Sequence, residues 1–186
     1  MSLRKVINIF GGPGVGKSTI ATGLFYEMKR QGYNVEYVTE YAKQLTYDER
    51  FNVLEQDQLY IFAKQHRKIY RLREKCDYII TDSPLILSIL YFRLNPGISF
   101  YNEYHLEGLI EGTFNHYPNM NIILNRNDRY KYQEEGRNQN EDGAKEIDRI
   151  LKHLLLSLNI PHELLLSGDT TVNHIMRMVK HDEKTV

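Results

Sequence analysis

Eight consecutive residues carry the clearest chemical signal in the chain. Gly11-Gly12-Pro13-Gly14-Val15-Gly16-Lys17-Ser18 fits the pattern G-x-x-x-x-G-K-[ST], and Thr19 follows directly. Glycines here let the main chain curl until successive N–H groups point inward, where they surround the oxygens of a polyphosphate. A helix opening at Lys17 adds the partial positive charge of its N-terminus. The Lys17 ammonium supplies a point charge for the outer phosphates, and the Ser18 hydroxyl is a ligand for the magnesium ion that travels with them. Chance produces this pattern in about one chain in 150 of this size, given average residue usage. Here it follows an apolar run and precedes an amphipathic one, the context that a working phosphate loop requires. Residues 11–19 are therefore expected to bind ATP and magnesium.

Phosphoryl transfer also needs a second acid, to hold magnesium through water or to take the acceptor's proton. Asp82 is the first candidate, because it closes the apolar run Ile79-Ile80-Thr81. An aspartate ahead of Ser83-Pro84 also suits a turn or a helix N-cap, and the roles are compatible. Glu40, with Tyr41 beside it, is the second candidate. It follows another apolar run, and the carboxyl end of a parallel strand faces the ligand crevice. Its carboxylate suits the acceptor's hydroxyls or the part of base, and a glutamate favoured by the dipole of a following helix is the plainer reading. On sequence alone either acid serves as the base. Arg126, Arg129, Lys131 and Arg137 crowd a stretch rich in Asn, Asp and Glu. Such a stretch suits a mobile lid over residues 126–142. Its arginines, Arg137 first and Arg126 second, would neutralise charge in the transition state, and its closure would exclude water.

These residues need elements that bring them together. Residues 6–10, 34–38, 77–81, 121–124 and 162–166 read as strands, being short apolar runs bounded by turn signals. Residues 17–29 read as a helix, with Ile20, Leu24 and Met28 at i, i+4 and i+8 and Gly32 ending it. Residues 47–75, 85–92, 105–114, 144–158 and 171–180 read as further helices, and 181–184 as a frayed tail. The alternation predicts an α/β chain with a P-loop NTPase fold: a five-stranded parallel sheet with helices on both faces, forming a single domain over residues 1–186. Asn95-Pro96-Gly97 marks a turn or insertion, not a boundary. Ser167-Gly168-Asp169-Thr170, after the last strand, either lies against the nucleotide's base or makes a plain turn.

Composition narrows the classes. The chain has 24 Lys+Arg against 24 Asp+Glu, which argues against a protein that coats nucleic acid by charge alone. Its one cysteine, Cys76, excludes a disulfide framework, fits a reducing cytoplasmic setting and reads as a structural thiol beside a strand. No run approaches the roughly 18 apolar residues of a membrane span. The basic, apolar start of the chain reads as the first core strand, since a glycine loop follows it in place of a cleavage site. Residues 64–75 are locally basic and interleaved with Tyr60, Phe62 and Tyr70. They read as the solvated face of a helix, with a surface for DNA as the alternative.

Taken together, residues 11–18, Glu40-Tyr41-Ala42, the helix carrying residues 65–70, Thr81-Asp82, Glu135-Gly136-Arg137 and Asn159-Ile160-Pro161-His162 make the chain similar to the NadR-type ribosylnicotinamide kinases, within the small P-loop nucleoside and nucleotide kinases. The resemblance implies a kinase with a doubly wound parallel sheet. It implies that Lys17 and Ser18 serve ATP and magnesium, that Asp82 lies at the reaction centre, that Glu40 faces the acceptor and that Arg137 faces the phosphates. Free-standing relatives of this kind occur in bacteriophage genomes, which would place the protein in a host cytoplasm. The expected function is transfer of the γ-phosphate of ATP to a hydroxyl of a nucleoside-type small molecule. The alternatives are a kinase of a hydroxymethylated base within DNA and an NTPase switch without an acceptor.

Overall fold

The computed structural model describes residues 3–95, 103–129, 132 and 140–185. Five strands form one parallel sheet: β1 (Lys5–Phe10), β2 (Val35–Val38), β3 (Tyr78–Thr81), β4 (Asn119–Asn125) and β5 (Glu163–Leu166), in the order β2-β3-β1-β4-β5. The chain leaves β1 and returns on one side as β3 and on the other as β4. The carboxyl end of β1 is thus the switch point of the sheet, where open α/β folds bind their ligands.

Both sheet faces are covered. On one, α1 (Lys17–Arg30) and α8 (Thr171–Thr185) bury Ile20, Leu24, Met28, Ile175 and Val179 against Ile7, Ile9, Ile80, Ile122 and Leu124. On the other, α4 (Gln58–Tyr70), α5 (Leu87–Leu94), α6 (Glu103–Asn115) and α7 (Glu141–Ser157) cover Val6, Phe10, Ile79 and Ile123. A polar pin sits within this second layer. Asn8, 1% exposed on the central strand, donates to Asn119 Oδ1 and Asn121 Oδ1 at 2.9 Å each, and Asn121 donates to Pro161 O at 3.0 Å. Leaving one such amide unpaired costs about 1–3 kcal/mol, so the triad fixes the register of β4 against β1. It also lengthens β4 beyond the apolar residues 121–124, which were the only part its hydropathy marked.

One expectation is refined and another corrected. Residues 47–75 are mostly helical but not one helix. The chain makes α2 (Tyr41–Tyr47), α3 (Phe51–Gln56) and α4 in succession. Glu49 adopts φ 54, and the Arg50 N–H closes α2 by bonding Leu45 O at 2.9 Å. Asp57 then caps α4 by accepting from the Tyr60 N–H at 2.9 Å. Residues 181–184 are not frayed either, since α8 runs to Thr185. Glu183 accepts from Arg4, Tyr33 and Tyr78, and Asp182 pairs with Lys5 at 3.2 Å. A charged run that reads as solvated is held by partners almost the whole chain away. Cys76 is a buried thiol, as expected, and burial pushes it up to about 11. Among the described residues no helix is long and apolar enough to cross a membrane.

Candidate active site

The phosphate loop joins β1 to α1. Gly11, Gly14 and Gly16 have φ of 146°, 78° and 97°, a region that side chains with a Cβ rarely enter. Space is as restrictive as torsion. A Cβ at Gly11 would stand 2.5 Å from Val15 Cγ1, and one at Gly16 2.8 Å from Ser167 Oγ. No side chain caps α1 and no acidic residue lies in its first turn, so the N–H groups and dipole of that turn stay available to an anion. Ser18 and Thr19 are exposed at its start. Lys17 Nζ donates to Gly12 O at 3.1 Å. Burial pulls the ammonium below its ordinary value, while the carboxylates of Glu40, Asp82 and Asp148 oppose that shift. A polyphosphate would supply the negative charge that this partly desolvated ammonium lacks.

Asp82 directly follows β3 and is 3% exposed. It meets the Tyr37 phenol, which the hydroxyls of Thr22 and Ser18 on α1 also border. Its Oδ2 accepts from the Tyr37 hydroxyl at 2.7 Å. Its Oδ1 is the one buried side-chain polar atom, among the described residues, without a hydrogen-bond partner. A desolvated carboxylate oxygen of this kind suits a metal-bound water. The donor set, one hydroxyl and one carboxylate beside a phosphate loop, fits magnesium, which keeps most of its waters. Asp82 is not a helix cap, since α5 opens at Leu87 behind Ile86.

Two clefts open from the loop, and Gly14 borders both. One, of about 690 Å³, is lined by Asn125, Arg126, Asn127, Lys152 and Ser167. Ser167, the first residue after β5, thus borders this cleft, and Gly168 and Thr171 close a turn behind it. The other, of about 600 Å³, is lined by Lys17, Ser18, Glu40, Gln58, Ser83 and Tyr91. Glu40 is the N-cap residue of α2 but makes no side-chain cap, and its carboxylate serves the cleft instead. Burial raises its proton affinity against the opposing pull of Lys17. The start of α2 is held by Gln65, 3% exposed, which accepts from the Tyr41 N–H at 2.9 Å and donates to Thr81 Oγ1 at 3.4 Å.

The Tyr41 ring packs against Tyr60, with the hydroxyls 3.0 Å apart and Lys68 over its face. Along the basic helix, Lys64 lies over Tyr60 and Lys68 donates to Thr39 O at 3.1 Å. Arg126 is present at the site but engaged. Its Nε donates to Asp148 Oδ2 at 2.5 Å, and its Nη2 donates to Pro13 O at 2.7 Å and Ala144 O at 3.1 Å. Asp148 Oδ1 accepts the Gly12 N–H at 2.5 Å. The outer wall of the loop is thereby clasped to α7. Arg137, and with it most of the segment 126–142 expected to form the lid, lies outside the described residues.

A family model described as an AAA domain matches residues 6–171, from the first strand through the loop after the last. The chain belongs to this AAA domain family. Two solved structures share its fold. A NadR protein in complex with NR is 19% identical with a TM-score of 0.63, the match covering 99% of this chain and 52% of that one, so the present AAA domain spans about half of its length. A deoxyadenosine kinase from M. mycoides, with products dCMP and a flexible dCDP bound, is 18% identical with a TM-score of 0.53 over 95% of this chain and 99% of that one. No curated protein sequence matches the chain.

Three residues of this AAA domain site escaped the sequence reading. Tyr37 is one of 14 tyrosines, and nothing local marks it. Tyr91 lies within an apolar helix and lines the Glu40 cleft, where burial, with Glu40 and Asp148 adding to it, drives its phenol far above the ordinary value and keeps it neutral. Asp148 left a faint signal. It stands one turn after Ala144, among Ile147 and Leu151, on a face otherwise apolar.

Proposed function

We propose that this AAA domain is an ATP- and magnesium-dependent kinase that passes the γ-phosphate to a hydroxyl of a nucleoside or nucleotide-type acceptor. The observation that carries the reading is the pair of clefts meeting at one phosphate loop. A switch that only hydrolyses its nucleotide needs one. The fold shared with a deoxyadenosine kinase and with a NadR protein supports the same reading.

The residues divide the work. Loop amides and the first turn of α1 bind the phosphates, and Lys17 adds its charge to the transferred group. Ser18, and Asp82 through water, would hold magnesium, which neutralises phosphate charge. The 690 Å³ cleft takes the base and ribose of ATP, and the 600 Å³ cleft takes the acceptor. Glu40 faces that acceptor as base. Its raised proton affinity suits it to receive the hydroxyl proton as the new O–P bond forms and the bond to the departing ADP breaks. Tyr91, kept neutral, donates beside it. Arg137 neutralises the equatorial oxygens, and Arg126 fixes the loop wall.

Purified protein with γ-labelled ATP and a panel of nucleosides, nucleotides and hydroxymethylated DNA tests this reading. Acceptor-dependent ADP release with label on a free nucleoside or nucleotide is the expected result. Equal ADP release without an acceptor would make the protein an NTPase switch, and label on DNA alone would make it a base kinase.

A further inference from the structure

We propose that Tyr37 is a positioning residue of the reaction centre, fixing one oxygen of Asp82 so that the other stays free for a metal-bound water. The proposal rests on the phosphotransferase reading of the loop.

The geometry comes from the sheet. Tyr37 pairs with Ile80 across β2 and β3. Asp82 follows the end of β3, two residues beyond Ile80, and the long Tyr37 side chain reaches it with a 2.7 Å hydrogen bond to Oδ2. The Tyr37 ring packs against Phe25 of α1, with centroids 6.3 Å apart, and the hydroxyls of Thr22 and Ser18 border the same phenol. One side chain therefore touches the strand that ends in the acid and the helix that carries the magnesium hydroxyl. Phenylalanine would keep that packing, so the hydroxyl answers a need other than volume. Its bond to Oδ2 removes one of the two carboxylate oxygens from competition, and Oδ1, buried and unpartnered, remains for a ligand. Without the bond the carboxylate could rotate, and Oδ2 would itself be a desolvated oxygen in search of a donor. Outer-shell hydrogen bonds of this sort typically govern metal affinity or activity by about 10- to 100-fold.

The test is Tyr37→Phe, alone and combined with Asp82→Asn. Manganese binding to the ADP complex, followed by electron paramagnetic resonance, should weaken at least about tenfold in Tyr37→Phe, while metal-free ADP binding stays within about twofold of wild type. Activity should fall through kcat and the half-saturating magnesium concentration, with the acceptor KM unmoved. In the Asp82→Asn background, Tyr37→Phe should change neither manganese binding nor kcat further, because the phenol acts through that carboxylate. Unchanged manganese affinity, or full additivity of the two substitutions, overturns the proposal. So does parallel loss of ADP, acceptor and metal binding with a lowered melting temperature, which is the pattern of a purely structural tyrosine. The manganese titration needs no acceptor, so it stands even if no acceptor is phosphorylated. That outcome would sink the kinase reading separately.

Discussion

The phosphate loop and the cleft beside Glu40 share a wall, but they are made differently. The loop is local: eight consecutive residues supply its amides, its ammonium and its hydroxyl. The 600 Å³ cleft draws on Glu40 at the start of α2, Gln58 on α4, Ser83 after β3 and Tyr91 on α5. The four come from separate parts of the chain. Glu40 depends on Gln65, which reaches to Thr81, and Asp82 depends on Tyr37. The same contrast separates substitutions that should abolish every reaction from those that should redirect or tune one.

The largest effect is expected inside the loop. Lys17→Ala should lower kcat/KM about 1,000-fold, on the scale of cationic side chains that stabilise a transferring phosphoryl group, while the fold survives. Steady-state kinetics with any working acceptor checks this, and a rate within tenfold of wild type would remove Lys17 from the centre. The loss should not depend on the acceptor used.

On the acceptor side, Glu40→Gln should cost about 100-fold in kcat, as loss of a general base does, with ATP binding retained. Burial raises the proton affinity of Glu40, so its base form is lost at a higher pH than for an ordinary carboxylate. The wild-type rate should therefore fall on the acid side at that displaced pH, and Glu40→Gln should flatten the limb. Stability runs the opposite way. A carboxyl with a raised folded-state value favours folding at low pH, and that contribution is lost as pH rises through it. Glu40→Gln should then unfold at a higher temperature than wild type at neutral pH. An unshifted acid limb together with a less stable variant would contradict both assignments.

How much of this was readable from the sequence follows the same division. The strand order's central feature, the loop after the first apolar run, was readable because glycine chemistry and hydropathy coincide there. Asp82 and Glu40 stood out as candidates because each follows a strand. The packing of the Tyr41 ring on Tyr60 was not readable, because adjacency in sequence says nothing about which side of a helix a residue takes. The break ahead of α3 was hidden because Glu49 takes a positive φ without being a glycine. The triad of Asn8, Asn119 and Asn121 was missed because the strands that carry it come together only in the fold.

A smaller effect belongs to the wall between the clefts and α7. Asp148→Ala leaves the Gly12 N–H and the half-buried Arg126 without their carboxylate. The expected cost is about 2 kcal/mol, below the figure for a fully buried pair because both side chains retain some solvent. Urea denaturation would show it as a lower midpoint at constant slope, with the ATP KM rising alongside. Unchanged stability would mean that the clasp does not hold the loop.

The claim on which everything turns is that two ligands meet at this loop. Calorimetric titration with a bisubstrate compound, two nucleosides joined by a chain of phosphates long enough to bridge both clefts, measures it most directly. The account predicts binding at least about 100-fold tighter than ADP, since a second cleft is engaged without a second loss of translational freedom. It also predicts that Glu40→Gln weakens this compound and leaves ADP unaffected. A bridging compound that binds no better than ADP, or whose affinity ignores Glu40, would contradict it.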